Sequence, residues 1–195
     1  MAATIEVMDL VKSAVGAGVI AALVNQGLVW IKEWLREGKA FKLRQQHAAL
    51  SLAVALERYA LVCAHQVVAI DQGLDEAARH GNMSYLESGV PELTLPAPSD
   101  AQCLPADVVA RVLALPLEIR YAQEHVRAEG IHVNSVAASA MAKPKVGQLG
   151  WDAWNTAITL RRQQNLPPAS LNIDVSAWDF RACLQEATAV SVKAG

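Results

Sequence analysis

Residues 47–74, HAALSLAVALERYALVCAHQVVAIDQGL, carry the clearest periodic pattern in the chain. The apolar residues that recur here in steps of three and four are Ala49, Ala53, Leu56, Ala60, Cys63, Val67, Ile70 and Leu74. This spacing places them all on one stripe of an α-helix. It predicts a helix from about residue 42 to residue 80 that packs against at least two neighbours and forms the central element of the domain.

The preceding stretch, residues 13–31, contains no charged side chain. As a helix its nineteen residues are about 28 Å long, close to the bilayer hydrocarbon thickness of about 30 Å. Gly38 is the only obvious interruption before the central helix, and one glycine destabilises a helix by only about 1 kcal/mol. We therefore expect a transmembrane helix that is nearly continuous with the central helix. In the alternative interpretation, residues 13–35 are the core helix of a soluble bundle.

The flanks of this stretch predict its orientation. The aromatic and basic side chains assigned to the membrane interface are Trp30, Lys32, Trp34, Arg36 and Lys39. Lys42 and Arg44 continue the basic flank, whereas only Lys12 precedes the stretch. Because basic residues are enriched on the cytoplasmic side, residues 1–38 are interpreted as a membrane anchor of the inner membrane. Its N-terminus is then outside, and residues 39–195 form a cytoplasmic α-helical domain; the alternative location of the whole chain is the cytoplasm.

Small residues recur within the stretch at a spacing of four: Ala14, Gly18 and Ala22. In lipid, small side chains at this spacing let two helices approach closely. The pattern predicts self-association of the anchor, and the alternative is that alanine is simply abundant in this chain. The predicted partners are accordingly the lipid bilayer and an unidentified protein, a second copy of the chain included.

A long loop is predicted over residues 82–105, which contain four prolines and no lysine or arginine. Within it we expect at most a short extended piece at residues 92–95. A second helix is predicted from Pro105 to about Ala128, with a kink at Pro116. The apolar face of this helix again follows steps of three and four: Val108, Val112, Leu115, Ile119, Ala122 and Val126.

The rest of the chain is less regular. Residues 129–143 fit either a short helix or an extended run. The residues expected to end this segment are Pro144, Gly147 and Gly150. A further helix is predicted from Trp151 to about residue 164, and a last one from Ser176, where a capping-box pattern begins. The sequence thus predicts an all-α protein, with an N-terminal hydrophobic helix followed by an irregular bundle of four or five helices and long loops.

Composition limits the classes of function. Hydrophobic residues make up 53% of the chain and charged residues only 18%, so the apolar excess must be buried in protein or in lipid. The formal net charge of -2 argues against nucleic acid as a partner, because binding to phosphates requires a basic excess. Three widely spaced cysteines, Cys63, Cys103 and Cys183, do not form a disulfide framework pattern and favour a reducing compartment.

Catalytic and cofactor motifs are missing from the sequence, which contains no phosphate-binding loop, nucleophile elbow or zinc-protease signature. Cys63 and His65 are two residues apart on a helix and point in different directions, so they cannot bind one metal ion. Glu129 and His132 have the spacing of a di-iron motif, but it occurs once and such sites need two copies. We expect no cofactor and no metal. The polar residues that remain as a candidate pocket are Glu57, Arg58, Glu118 and His125.

These observations favour a membrane-anchored, non-enzymatic scaffold or interaction protein at the cytoplasmic face of a bacterial-type membrane. A second hypothesis is a soluble all-α enzyme or small-ligand-binding protein, with residues 13–35 in its core and a polar pocket near Glu57, His125 and the acidic loop at residues 82–105. A third is a membrane-perturbing effector whose glycine- and alanine-rich N-terminal helix oligomerises.

Overall fold

The computed structural model describes the backbone of residues 2–97, 103–169 and 178–192, and the side chains of residues 36–97, 103–169 and 178–189. Within these ranges it contains four α-helices and no β-strand. The helices are α1 (Ala2–His80), α2 (Ala106–His132), α3 (Ser135–Gln163) and α4 (Phe180–Val192). The prediction of an all-α protein with a long N-terminal helix is therefore confirmed.

Helix α1 is continuous over 79 residues, as the weak interruption at Gly38 predicted. All members of the predicted stripe from Ala49 to Ile70 are buried, and Leu74 is half-buried. The helix ends at Gly81, whose φ of 63° is the left-handed conformation that glycine adopts after a helix C-terminus. The chain divides into two compact units, Met1–Arg44 and Gln45–Gly195. In the second unit, α2, α3, α4 and the α1 residues from Gln45 onward share one apolar core.

Helix α2 buries the six residues that the periodicity selected, from Val108 to Val126. Pro105 directly precedes the helix, and Asp107 lies in its first turn, where a carboxylate interacts favourably with the helix dipole. Pro116 lies inside the helix. The helix continues to His132, beyond the predicted end near Ala128.

Helix α3 corrects the prediction for the segment after α2. The helix begins after Asn134, whose side chain accepts a hydrogen bond of 2.8 Å from the Ala137 amide. It continues through Pro144, Gly147 and Gly150, the residues expected to end the segment. Gly147 and Gly150 lie where neighbouring helices approach closely. A Cβ atom on Gly150 would be 2.6 Å from Cys63 Cβ, so these glycines serve contact between helices rather than helix termination. Trp151 therefore lies inside α3 and does not begin a helix.

Helix α4 begins at Phe180, where the Asp179 carboxylate accepts a hydrogen bond of 3.0 Å from the Arg181 amide. The predicted start at Ser176 lies outside the described residues. Phe180 and Leu184 are buried, and the Phe180 ring packs edge-on against Trp154 with 5.0 Å between centroids.

The loop between α1 and α2 is described at residues 81–97 and 103–105. It contains a 3₁₀ turn at Met83–Tyr85 and no strand at residues 92–95, although Leu93 and Leu95 alternate with exposed neighbours and pack against the core. The Tyr59 hydroxyl donates a hydrogen bond of 3.3 Å to the Pro91 carbonyl, and the Gln123 amide donates one of 3.1 Å to the Val90 carbonyl. The loop is thereby attached to both α1 and α2.

Candidate functional site

The basic flank of α1 is exposed as far as the structure describes it. All side chains from Arg36 to Arg44 are exposed, with Arg36, Lys39, Lys42 and Arg44 opposed by one acid, Glu37, which gives this segment a net charge of +3. The remaining predicted interface residues, Trp30, Lys32 and Trp34, lie on helical backbone, and their side chains are outside the described residues. A basic, exposed helix segment of this kind suits an anionic lipid surface.

The predicted self-association residues Ala14, Gly18 and Ala22 also lie on the helical backbone of α1, with their side chains outside the described residues. Among the residues whose side chains are described, one helical segment, Arg36–His80, is long and apolar enough to cross a membrane. Nearly half of its most apolar stretch is buried in the domain. Core helices of soluble proteins have the same length and composition, and the side chains of residues 13–31 lie outside the described residues.

The four residues of the candidate polar pocket occupy three separate places. Glu57 is buried against Arg161 of α3. Arg58 lines a groove of about 500 Å³ between α1 and residues 92–96 of the loop. Glu118 and His125 line a second groove, between α2, α3 and α4.

Glu57 and Arg161 form a nearly buried ion pair between α1 and α3. Arg161 Nε lies 2.5 Å from Glu57 Oε1 and Nη2 lies 2.9 Å from Oε2, and each side chain is 11% exposed. The hydrogen bonds to Glu57 hold the pKa of Arg161 above its ordinary value, against the lowering effect of burial. Arg161 Nη1 also donates to the Pro167 carbonyl at 2.9 Å. With both carboxylate oxygens engaged, this pair connects helices and offers no free group for catalysis.

The α2/α3/α4 groove has a volume of about 460 Å³. Its apolar lining includes Met141 and Leu149, and its polar lining includes Glu118, His125 and Lys145. These three polar side chains make no ion pair or hydrogen bond with the described part of the chain. The groove therefore combines an apolar floor with polar groups that are available to a ligand.

The outer face of α2 carries large apolar side chains that are exposed to solvent. We use this name for residues that follow one another in steps of three and four on the side opposite the buried face: Ala110, Leu113, Leu117, Tyr121, Glu124, Ala128 and Ile131. Leu113, Leu117, Tyr121 and Ile131 are 57%, 72%, 69% and 67% exposed. Glu124 is the single charged member. Helix α2 is thus apolar on two opposite faces, of which the bundle covers one.

Sequence reasoning recognised the buried face of α2 and missed the outer face. The signal was present, because the same spacing of three and four occurs twice in the segment, offset by half a turn.

Cys63 lies in the core and is unsuited to nucleophilic chemistry. Burial raises the pKa of its thiol to about 12, so the reactive thiolate is scarce at neutral pH. Burial also raises the pKa of the neighbouring Tyr59 hydroxyl. Both groups pack the interface between α1 and the rest of the bundle.

Within the part of the chain that the structure describes, no three His, Cys, Asp or Glu side chains are placed to hold a metal ion. The chain matches no protein-family model, no curated protein and no solved structure.

Proposed function

We propose that the protein is a membrane-anchored, non-enzymatic interaction module whose helical domain presents the outer face of α2 to a protein partner at the cytoplasmic face of a bacterial-type membrane. The observation that carries the proposal is the exposed apolar outer face of α2. A helix that is apolar on two opposite sides is suited to burial on both, and contiguous exposed apolar surface marks interaction sites.

The anchor in this proposal is the uncharged stretch at residues 13–31. Its support is the length and composition of that stretch, together with the exposed basic segment that follows from Arg36 to Arg44. Lipid headgroups of negative charge would interact with this segment, and the positive charge favours a cytoplasmic position for the domain.

The anchor is tested by carbonate extraction of membranes that contain the full chain, with protease protection of each terminus. We expect the chain to stay in the membrane pellet and a variant without residues 1–38 to be soluble and folded. A full chain that purifies from the aqueous fraction without detergent, combined with an unfolded or insoluble truncated variant, would contradict the anchor.

The interaction surface is tested with a photo-reactive amino acid incorporated at Leu117, in the middle of the outer face of α2. The matched control is the same amino acid at Ile158, which is 36% exposed on α3. We expect covalent protein adducts from position 117 and few from position 158, with loss of the adduct when Leu113→Glu is added. Equal yields at the two positions, or no adduct at 117, would refute an interaction through this face.

A second candidate function has one specific observation in its favour, the α2/α3/α4 groove. Its volume of about 460 Å³ suits a small polar or zwitterionic ligand, as do Glu118, His125 and Lys145, whose side chains have no ion-pair partner among the described residues. A thermal-shift screen of such ligands tests this candidate, since a bound ligand raises the melting temperature. The variant Lys145→Ala should abolish the shift if the groove is the binding site.

A further inference from the structure

The outer face of α2 extends over 22 residues, from Ala110 to Ile131, which corresponds to about 33 Å of helix. Its exposed leucine, tyrosine and isoleucine side chains fit a second helix packed lengthwise, since steps of three and four are the spacing of helix pairs. The charges at the two edges of the outer face indicate which helix fits there.

The edges of the outer face carry opposite charges near its centre. At 100° per residue, Glu118 lies on one side of Leu117 and Arg120 on the other. Both side chains are exposed, and neither forms an ion pair within the described residues. When two identical helices pack in parallel about a two-fold axis, the edge of one meets the opposite edge of the other. Glu118 of each copy then faces Arg120 of its neighbour, and two symmetric ion pairs form.

The course of the chain also favours a parallel arrangement. Gln45 donates a hydrogen bond of 2.7 Å to the carbonyl of Cys103, just before α2 begins. Further along both helices, Tyr59 and Gln123 donate to the adjacent carbonyls of residues 90 and 91. The α1 residues from Gln45 onward and α2 therefore run in the same direction. In a parallel pair of α2 helices the Gln45 ends of both copies lie at the same end of the dimer, as anchors in one bilayer require.

We propose that the partner of this face is a second copy of the chain, joined through a parallel two-fold pair of α2 helices with Glu118–Arg120 ion pairs across the interface. This inference rests on the proposed function and names the partner for the same surface. Leu113, Leu117 and Tyr121 of one copy pack against their counterparts, so the exposed apolar strip is removed from contact with water. Glu124 meets its own counterpart in the same arrangement, and the two Glu118–Arg120 ion pairs offset this single like-charge contact.

Charge reversal tests the interface in the purified full chain, with mass measured by light scattering in a mild non-ionic detergent. We expect a dimer for the natural chain. Glu118→Arg and Arg120→Glu should each raise the dimer dissociation constant about tenfold or more, because each places like charges together. The double variant Glu118→Arg/Arg120→Glu restores the opposite pairing and should return the natural dissociation constant. Both residues are exposed, so unchanged circular dichroism is expected throughout.

Cysteine cross-linking tests the direction of the pair. Residues on a parallel two-fold seam meet their own counterparts, so Leu117→Cys and Leu113→Cys should each form a disulfide-linked dimer on mild oxidation. In an antiparallel pair centred near residue 117, two copies of residue 113 would be about 12 Å apart along the helix, too far for a disulfide. The natural chain provides the baseline for its own three cysteines, and Ile158→Cys is the matched control.

The outcomes separate this inference from the proposed function. A photo-adduct at position 117 whose mass differs from twice that of the chain would overturn the second copy as partner and keep the interaction module. A monomeric natural chain, or a double variant that stays as weakly associated as the single variants, would overturn the dimer. If position 117 gives no protein adduct, both proposals fail. A face of α2 that entered lipid would give this result.

Discussion

The ion pair between Glu57 and Arg161 provides the sharpest test of how the bundle is held together. Both side chains are 11% exposed, and two hydrogen bonds join them. In the variant Glu57→Gln the guanidinium keeps its charge in the same place, while the carboxylate that balances it is lost. Removing one partner of a buried pair typically costs 3–5 kcal/mol, and with this slight exposure we expect about 3 kcal/mol.

The assay is urea unfolding of the full chain in a mild non-ionic detergent, followed by circular dichroism at 222 nm. A loss of about 3 kcal/mol lowers the urea midpoint by about 1–3 M, since m is about 1–3 kcal/mol/M in urea. Asp71→Asn is the matched control, because the ion pair of Asp71 and Lys143 also joins α1 to α3 but is 48% and 25% exposed. That variant should lose at most about 1 kcal/mol.

The double variant Glu57→Gln/Arg161→Met separates the contact from the burial of charge. With no charge left in the interface, we expect it to recover at least half of the stability that Glu57→Gln loses. A loss of stability in the double variant that equals the sum of the losses of Glu57→Gln alone and Arg161→Met alone would show that the pair is not coupled. If Glu57→Gln were no more destabilising than Asp71→Asn, the reasoning from burial would be refuted.

Three further predictions concern packing, thiol chemistry and helix capping. Gly150→Ala places a Cβ atom 2.6 Å from Cys63 Cβ. The steric cost exceeds the gain in helix propensity, so the free energy of unfolding should fall by about 1 kcal/mol. Gly38→Ala is the control, because nothing lies within 4 Å of the added Cβ atom, and it should not lower the free energy of unfolding. Cys63, with its pKa raised to about 12, should resist a thiol reagent at pH 8 until the chain unfolds, and labelling as fast as that of Cys103 would contradict its burial. Because the pKa of this thiol in the unfolded chain is about 8.5, Cys63 stabilises the fold below about pH 8.5 and loses this contribution as the pH rises towards 12. Asn134→Ala removes the cap at the start of α3 and should cost about 1 kcal/mol in the same urea assay, and no measurable loss would show that the cap is dispensable.

The sequence predicts the apolar spacing on α2 but not which of its faces is exposed. The spacing of Leu113, Leu117 and Tyr121 is visible in the sequence, and so is the spacing of Val108 and Val112, but periodicity alone does not say which face the bundle covers. That choice depends on how α2 lies against α1 and α3. The candidate polar pocket failed to assemble as one group for a related reason, since Glu57 has its partner Arg161 on another helix, 104 residues away.

The sequence by itself determined the helices whose apolar residues recur regularly, because one turn of a helix is a local repeat that only neighbouring residues define. It thereby specified the apolar stripe of α1 and the two opposite apolar stripes of α2. Only the tertiary structure decided that α3 passes through Gly147 and Gly150, that Glu57 is buried, and that the second apolar face of α2 remains exposed. Each of these depends on which helix lies opposite a residue, and contacts between residues far apart in the chain are set by packing of the whole bundle.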